Sequence, residues 1–523
     1  MKTDKYLMAI DAGTGSVRAI IFDYYGHQIS DAQREWTHKA DPRFPGSMDF
    51  DYSTNWEIIK NCIRDAIKES NINSSQICGI ATSSMREGFV AYDKDGKELI
   101  AFSNVDTRSQ AEAAELKRDL PTLEKDLYDK TGQTFALNAI PRLLWIKNHE
   151  PEVYDRIANI NMLSDWISYK MSGRIIVEPS NGSTSGILSL KTRKWDTSIP
   201  EAANLKTDIF PPVVESGSII GPVTASVCEE TGLSASTLVV AGGGDSQLGC
   251  IGVGSIHDGQ VALFGGSFWQ YEYNTKNFII DKDARLRMNC HAVPDLLQYE
   301  GIAWNCGLVM RWFRDAFCQE EQRFGKEHKL NFYDLMTPRA TQIPAGSYGI
   351  IATFADVMNF IAMKHAAPTI TNFQMDAERF NKFTLFHAIM ENAALITMGH
   401  KKAIDNITGH ETDEITFAGG SSNSPLWSQI VADTLGVRVK TPVVKEATAL
   451  GAALLAGVGS GLYDNLEEAV ETTVHIDRVY EPNMENHAVY ERVFDKWQKV
   501  YQAQLRLADE KVTDYMWIAP GVK

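Results

Sequence analysis

Four short stretches carry residue types that could do chemistry on an anion. In Asp11-Ala12-Gly13-Thr14-Gly15-Ser16-Val17-Arg18, glycines at a tight turn let backbone N–H groups approach a phosphate closely. Thr14 and Ser16 add hydroxyl donors, and Arg18 adds a guanidinium. Asp11 ends an apolar run, where an unpaired carboxylate is costly to bury. A Mg²⁺ ion or its water shell would account for it; so would a carboxylate that caps its own turn. In Val239-Val240-Ala241-Gly242-Gly243-Gly244-Asp245, three glycines deliver one carboxylate. They let other backbone pass close to a strand end and leave Asp245 on a cleft floor. The alternative is a helix N-cap for the segment that follows. Gly265-Gly266-Ser267 is another glycine turn between apolar runs. Ala418-Gly419-Gly420-Ser421-Ser422-Asn423 precedes a helix, the setting that suits a nucleotide phosphate.

Several chemistries have no residues to carry them. There is no G-x-x-x-x-G-K-[ST] loop, no G-x-G-x-x-G opening a helix after the first strand, no H-E-x-x-H, no Cys/His quartet and no G-x-S-x-G. The formal net charge of −16 argues against nucleic acid or an anionic membrane as partner, since both require a basic surface. It does not exclude a phosphorylated ligand held by backbone N–H groups. Seven widely spaced cysteines without a C-x-x-C pair fit free thiols, most of them small buried hydrophobes, in a reducing cytoplasm. The uncharged run 447–463 is rich in glycine and small residues, which favours a tightly packed buried helix over a membrane span.

These stretches need a frame. With 523 residues the chain is too long for one core, and two large lobes or three smaller ones are expected. YLMAI (6–10), VRAIIFD (17–23) and QISDAQREW read as an antiparallel meander. Residues 53–70 have helical spacing of Ile59, Cys62, Ile63, Ala66 and Ile67, with Ser53 or Thr54 as cap. Further strands are expected at 77–84 and 239–244, a hairpin around Asp95-Gly96, and helices around 143–157 broken at Pro151. Residues 261–274 repeat the strand, glycine turn, strand device of the N-terminus. Residues 414–436 read as strand, glycine loop and helix, with Ser424 as cap, Pro425 first and Gly436 last. A helix follows over 446–457, and a polar amphipathic one closes the chain. The repeat suggests a duplicated α/β architecture: an N-terminal lobe over 1–254, a C-terminal lobe over 255–523 and a nucleotide cleft between them.

The order DAGTGSVR, SMREG, VDTRS, GGGDSQLG, FGGSFW, FAGGSSNSPLWSQ, EATALGAA resembles the FGGY carbohydrate kinases over nearly the whole chain. The resemblance implies two ribonuclease-H-like lobes of the actin–hexokinase superfamily, with ATP and Mg²⁺ as cofactors. It implies Asp245 as catalytic base. It places Asp11, Gly13, Thr14 and Arg18 in a first phosphate loop, Gly266 and Ser267 in a second, and Gly419, Gly420 and Asn423 at the nucleotide. Asp11 and Asp245 would lie near the metal. Arg86 and Glu87 would hold acceptor hydroxyls, with Asn104, Asp106 and Trp269 around the substrate. Many relatives have W-x-D-x-R where this chain has Asn104-Val105-Asp106-Thr107-Arg108. Asn104 in place of an aromatic makes the pocket wider and more polar, unless it only bonds its own loop. That suits a diketone better than glycerol. The expected substrate is the open-chain dihydroxypentanedione form of autoinducer-2, phosphorylated at its terminal hydroxyl, with a pentulose such as ribulose or xylulose, or another polyol such as glycerol, as the alternative. A non-enzymatic actin-like ATP switch is the rival class. The resemblance also suggests the phosphocarrier HPr as a regulatory partner.

Overall fold

The computed structural model describes residues 2–266, 268–303, 306–357 and 359–522. Two large sheets dominate it. The first runs, in spatial order, Ile219–Pro222, Leu238–Gly244, Ile77–Ser84, Tyr6–Ala12, Ser16–Phe22, Gln28–Glu35. The second runs Arg287–Cys290, Leu297–Ala303, Trp269–Thr275, Val261–Gly265, Glu414–Ala418, Arg438–Pro442, Ile476–Tyr480. Both contain the same five-strand plan. A glycine-turned hairpin and a third antiparallel strand lie on one side, and the hairpin's first strand pairs in parallel with a fourth. The fourth pairs in parallel with a fifth, and an antiparallel strand covers the far edge. Duplication is thus explicit in the pairing although the letters show it only as pattern.

Each element follows from local sequence. Tyr6–Ala12 is an apolar run buried at six of seven positions, as a strand covered on both faces requires. Helix Tyr52–Ser70 turns Ile59, Cys62, Ile63 and Ala66 onto this sheet. Its cap is Asp51, which accepts from Thr54 N at 3.0 Å, and not Ser53 or Thr54. The Asp51 carboxylate takes up both hydroxyls as well. Helix Pro425–Leu435 is capped by Ser424 and ended by Gly436 in the left-handed region, as its sequence predicts. A smaller layer is inserted between the strands ending at Ser84 and beginning at Leu238. It holds a three-stranded sheet, Phe89–Tyr92, Glu98–Phe102 and Asn159–Met162, under helices that include Ala139–His149.

Two helices leave the fifth strands of the two sheets, Asp245–Gly252 and Ala447–Gly459. They cross in direct backbone contact. A Cβ on Gly252 would lie 1.8 Å from the Ala447 carbonyl oxygen, and one on Gly451 would lie 1.9 Å from that of Leu248. Helix Ala447–Gly459 packs Leu450, Ala453 and Leu454 against Leu7, Ala9, Ala81 and Val240 of the first sheet. The lobes therefore share a core beneath the cleft. Among the described residues no helix is long and apolar enough to cross a membrane.

Candidate active site

Register places the first two stretches together. Ala12 pairs with Ser84, and Ser84 with Gly244, in three parallel neighbours. Gly13, Met85 and Asp245 therefore leave the sheet side by side at the carboxyl ends of its strands, where open α/β sheets bind ligands. The three glycines have a packing cause. A Cβ at Gly242 would sit 1.8 Å from the Thr82 oxygen, one at Gly243 2.7 Å from Ser180 Oγ, and one at Gly244 2.6 Å from Gln247 Oε1. Gly244 occupies the cap position of the following helix, so Asp245 is its first residue and not its N-cap. Asp245 Oδ1 accepts from Ser246 N at 2.8 Å and lies 3.3 Å from Arg86 Nε. Its side chain remains 45 % exposed to the cleft. Desolvation by the cleft walls pushes this carboxyl up to about 6; Arg86 opposes the shift, and Glu87 and Asp11 add to it.

Arg86 is buried and grips Glu300 of the second sheet with both terminal nitrogens, Nη1 to Oε2 at 3.0 Å and Nη2 to Oε1. Against the desolvation of full burial, Arg86 and Arg287 hold the Glu300 carboxyl below the usual range. Its cross-strand neighbour Glu272 has neither oxygen partnered, and burial together with Glu300 pushes it well up. The two adjacent carboxyls are thus pushed in opposite directions, Glu300 down and Glu272 up. Glu87 sits at φ 64, an uncommon conformation for a side-chain-bearing residue. Its Oε1 accepts from Arg287 Nη2 at 2.8 Å.

Arg142 and Glu300 belong to the candidate site by their contacts, and motif reading missed both. Arg142 is 1 % exposed. Its Nη1 donates to the Glu87 carbonyl at 2.5 Å, and its Nη2 to those of Asn104 and Asp106 at 3.2 and 3.0 Å. One side chain thereby fixes the backbone of both acceptor segments. An arginine inside IPRLLW was the available signal, since such a residue is almost never fully buried unless paired. For Glu300 the signal was Gln-Tyr-Glu occurring twice, at 270–272 and 298–300, on strands that pair Glu272 with Glu300.

The remaining expected residues divide. Asn104 Nδ2 donates to Thr14 Oγ1 at 2.9 Å, tying the loop at 104–108 to the first glycine turn, and its Oδ1 is buried without a partner. Arg18 binds Asp11 at 2.8 Å and Glu446 at 2.5 Å, so one guanidinium is shared between two carboxylates. The pairing of Phe264 with Ala418 sets the second glycine turn beside the nucleotide loop. Gly266 N donates to Phe268 O at 2.9 Å. Gly419 has φ +88, and a Cβ there would lie 2.8 Å from Gly265 O. Gly420 and Asn423 are exposed on the adjoining turn. Ser267 lies outside the described residues. Two expectations are corrected by position. Asp106 is 1 % exposed, with its carboxylate filled by Arg108 and Met48 N, so it braces the loop and does not face an acceptor. Trp269 is wholly buried in the second lobe, stacked on Trp427 and bonded to Thr397 Oγ1 at 2.8 Å, so it lines no wall.

Among the described residues no three His, Cys, Asp or Glu side chains cluster tightly enough to hold a metal. Asp11 and Asp245 stand at the same end of the sheet, on strands separated by Ile77–Ser84; a Mg²⁺ between them would take the rest of its shell from phosphate and water.

Two ribonuclease-H-like lobes with a carboxylate at the strand ends between paired glycine turns define a phosphotransferase of the actin–hexokinase class. The FGGY family of carbohydrate kinases matches the chain with its N-terminal domain over residues 6–252 and its C-terminal domain over 275–460. The chain belongs to this family, whose members transfer phosphate from ATP to an alcohol group. It is 46 % identical to autoinducer-2 kinases of Yersinia enterocolitica and Salmonella typhimurium over 518 residues, which covers 99 % of this chain and 98 % of each relative. Its fold is similar to crystal structures of xylulose kinases. For that of Rhodospirillum rubrum the TM-score is 0.84 at 22 % identity, over 96 % of this chain and 99 % of the other. For that of Lactobacillus acidophilus it is 0.83 at 21 %, over 96 % and 98 %.

Proposed function

We propose that the chain phosphorylates the terminal hydroxyl of open-chain autoinducer-2 at the expense of ATP, forming phospho-autoinducer-2 for quorum sensing. The observation that carries the chemistry is Asp245, a half-open carboxylate beside Arg86, flanked by the first phosphate turn. Full-length similarity to autoinducer-2 kinases supports the acceptor.

A primary hydroxyl is a poor nucleophile at neutral pH. Asp245 accepts its proton as the oxygen attacks the γ-phosphorus. Arg86 and Glu87 hold the acceptor, one donating and one accepting. Backbone N–H groups at Gly13 and Thr14, with the Thr14 hydroxyl, face the phosphates, the turn at Gly266 lets them approach closely, and the turn at Gly419, Gly420 and Asn423 takes the nucleoside side. Asp11 and Asp245 would hold Mg²⁺, which neutralises phosphate charge when bound. Closure of the lobes excludes water as a competing acceptor.

Initial rates of ATP-dependent phosphorylation on synthetic dihydroxypentanedione and on ribulose, xylulose and glycerol test this reading. A higher kcat/KM on the diketone is expected; a pentulose preference would move the chain to a different acceptor class. The reading also places the enzyme in the cytoplasm. HPr stands with it as a regulatory partner, which mixing the two proteins and following kinase rate would test.

A further inference from the structure

A small pocket of about 40 Å³ opens beside Glu87, well below the range of sites that enclose a whole ligand, so it can take only the end of one. One side is polar. Arg287 lies there, its Nη2 held by Glu87 and Gln133 and its Nη1 no closer than 3.6 Å to Glu300. Asn138 lines the same side, 3 % exposed, with a buried Nδ2 that has no partner. The other side is apolar and comes from the second lobe as Ile302, Phe360 and Met363. These three form a small core cluster of their own with Ala519. Charge links the pocket to the chemistry through Asp245, Arg86, Glu300, Arg287 and Glu87 in successive contact.

An acceptor whose hydroxyl meets Asp245 and whose chain runs along Glu87 would bring its far end to this pocket. There it finds N–H donors on one flank and hydrocarbon on the other. A methyl ketone matches both, since its carbonyl oxygens accept from Arg287 and Asn138 and its methyl packs on Met363 and Phe360. A 2-ketose would place a hydroxymethyl group against that hydrocarbon, where its hydroxyl would be left unbonded. We propose that Ile302, Phe360 and Met363 are the specificity wall that selects an acceptor ending in a methyl ketone over one ending in a hydroxymethyl ketone, with Arg287 and Asn138 reading the carbonyl oxygens. The inference rests on the kinase reading above and adds residues that neither the glycine turns nor the Arg-Glu pair supply.

The test measures kcat/KM on synthetic dihydroxypentanedione and on xylulose for the wild type, Met363→Gln and Ile302→Thr, with thermal midpoints to confirm folding. Met363→Gln keeps the length of the side chain, Ile302→Thr is smaller by one heavy atom, and both add a polar group to the wall. The wild type should favour the methyl-ended acceptor. Each variant should shrink that preference by roughly ten- to two-hundred-fold, the range such a contact confers. Two folded variants whose ratio stays within about twofold of the wild type would overturn the specificity wall and leave the kinase intact, as would a wild type that favours xylulose. A wild type that phosphorylates neither compound would overturn the kinase reading, and the wall with it.

Discussion

At the scale of single residues the site turns on the charge of Asp245. A base must be ionised to take a proton, and this carboxyl is pushed up to about 6. We expect log kcat/KM to rise with unit slope below pH 6 and to level above it; a limb centred near 4 would place the base elsewhere. Asp245→Asn should lower kcat by about 10³-fold while ATP still binds, within the usual range for losing a general base. Comparing turnover with nucleotide binding by calorimetry checks both halves. The same shift has a stability consequence with a definite sign. The folded state holds the proton more tightly than the unfolded chain does. The favourable contribution is therefore full below the ordinary value near 4 and is lost as pH rises through about 6. Asp245→Asn should accordingly melt at or above the wild-type temperature at pH 7.5, and a clear drop there would contradict the shift. Arg142 is the opposite case, a residue remote from the reaction that holds its geometry. Arg142→Ala strands three carbonyl acceptors and should cost about 3 kcal/mol or more by urea unfolding. Because Glu87 and Asn104 lose their anchor together, acceptor KM should rise more than ATP KM.

At the scale of elements, strands and helices were largely legible in the sequence because their signals are local. Alternating or continuous apolar runs marked the strands, and Ser424, Pro425 and Gly436 bracketed one helix almost to the residue. The glycine turns were legible for the same reason. What failed was whatever depended on a partner far along the chain. Trp269 reads as a cleft aromatic until Trp427 and Thr397 close over it. Asp106 matches an acceptor ligand by resemblance until Met48, 58 positions away, joins the neighbouring Arg108 in filling its oxygens. Glu300 acquires meaning only from Arg86, 214 positions away. The helix crossing is likewise non-local, since nothing near Gly252 or Gly451 announces that each faces the other helix's carbonyl. Gly451→Ala tests it. A methyl placed 1.9 Å from Leu248 O must force the helices apart at a cost near the upper end of about 1–3 kcal/mol for overpacking. The same substitution at Gly420, which meets nothing within 4 Å, should leave the melting temperature within a degree or two.

At the scale of the whole molecule, the shared core fixes the lobes beneath the cleft, and the Arg86–Glu300 pair joins them across it. This pair couples the position of the second lobe to the chemistry of the first. Arg86 Nε lies 3.3 Å from Asp245 while its outer nitrogens are engaged by Glu300. The negative charge of Glu300 thus offsets the guanidinium field that would otherwise hold Asp245 ionised to lower pH. Removing that charge in Glu300→Gln leaves the Arg86 field unopposed at the base. The acid limb of kcat/KM should then move below 6, toward the ordinary carboxylate range, while maximal kcat falls because the inter-lobe bridge is weakened. Truncating one member of a buried pair costs about 3–5 kcal/mol, so the measurement belongs well below the melting temperature, with Glu300→Asp as a control that keeps the charge. If the control holds the limb near 6 and Glu300→Gln moves it down, the second lobe tunes the base through Arg86. A limb that stays at 6 in both variants would separate lobe contact from proton transfer and reduce Glu300 to a structural tie.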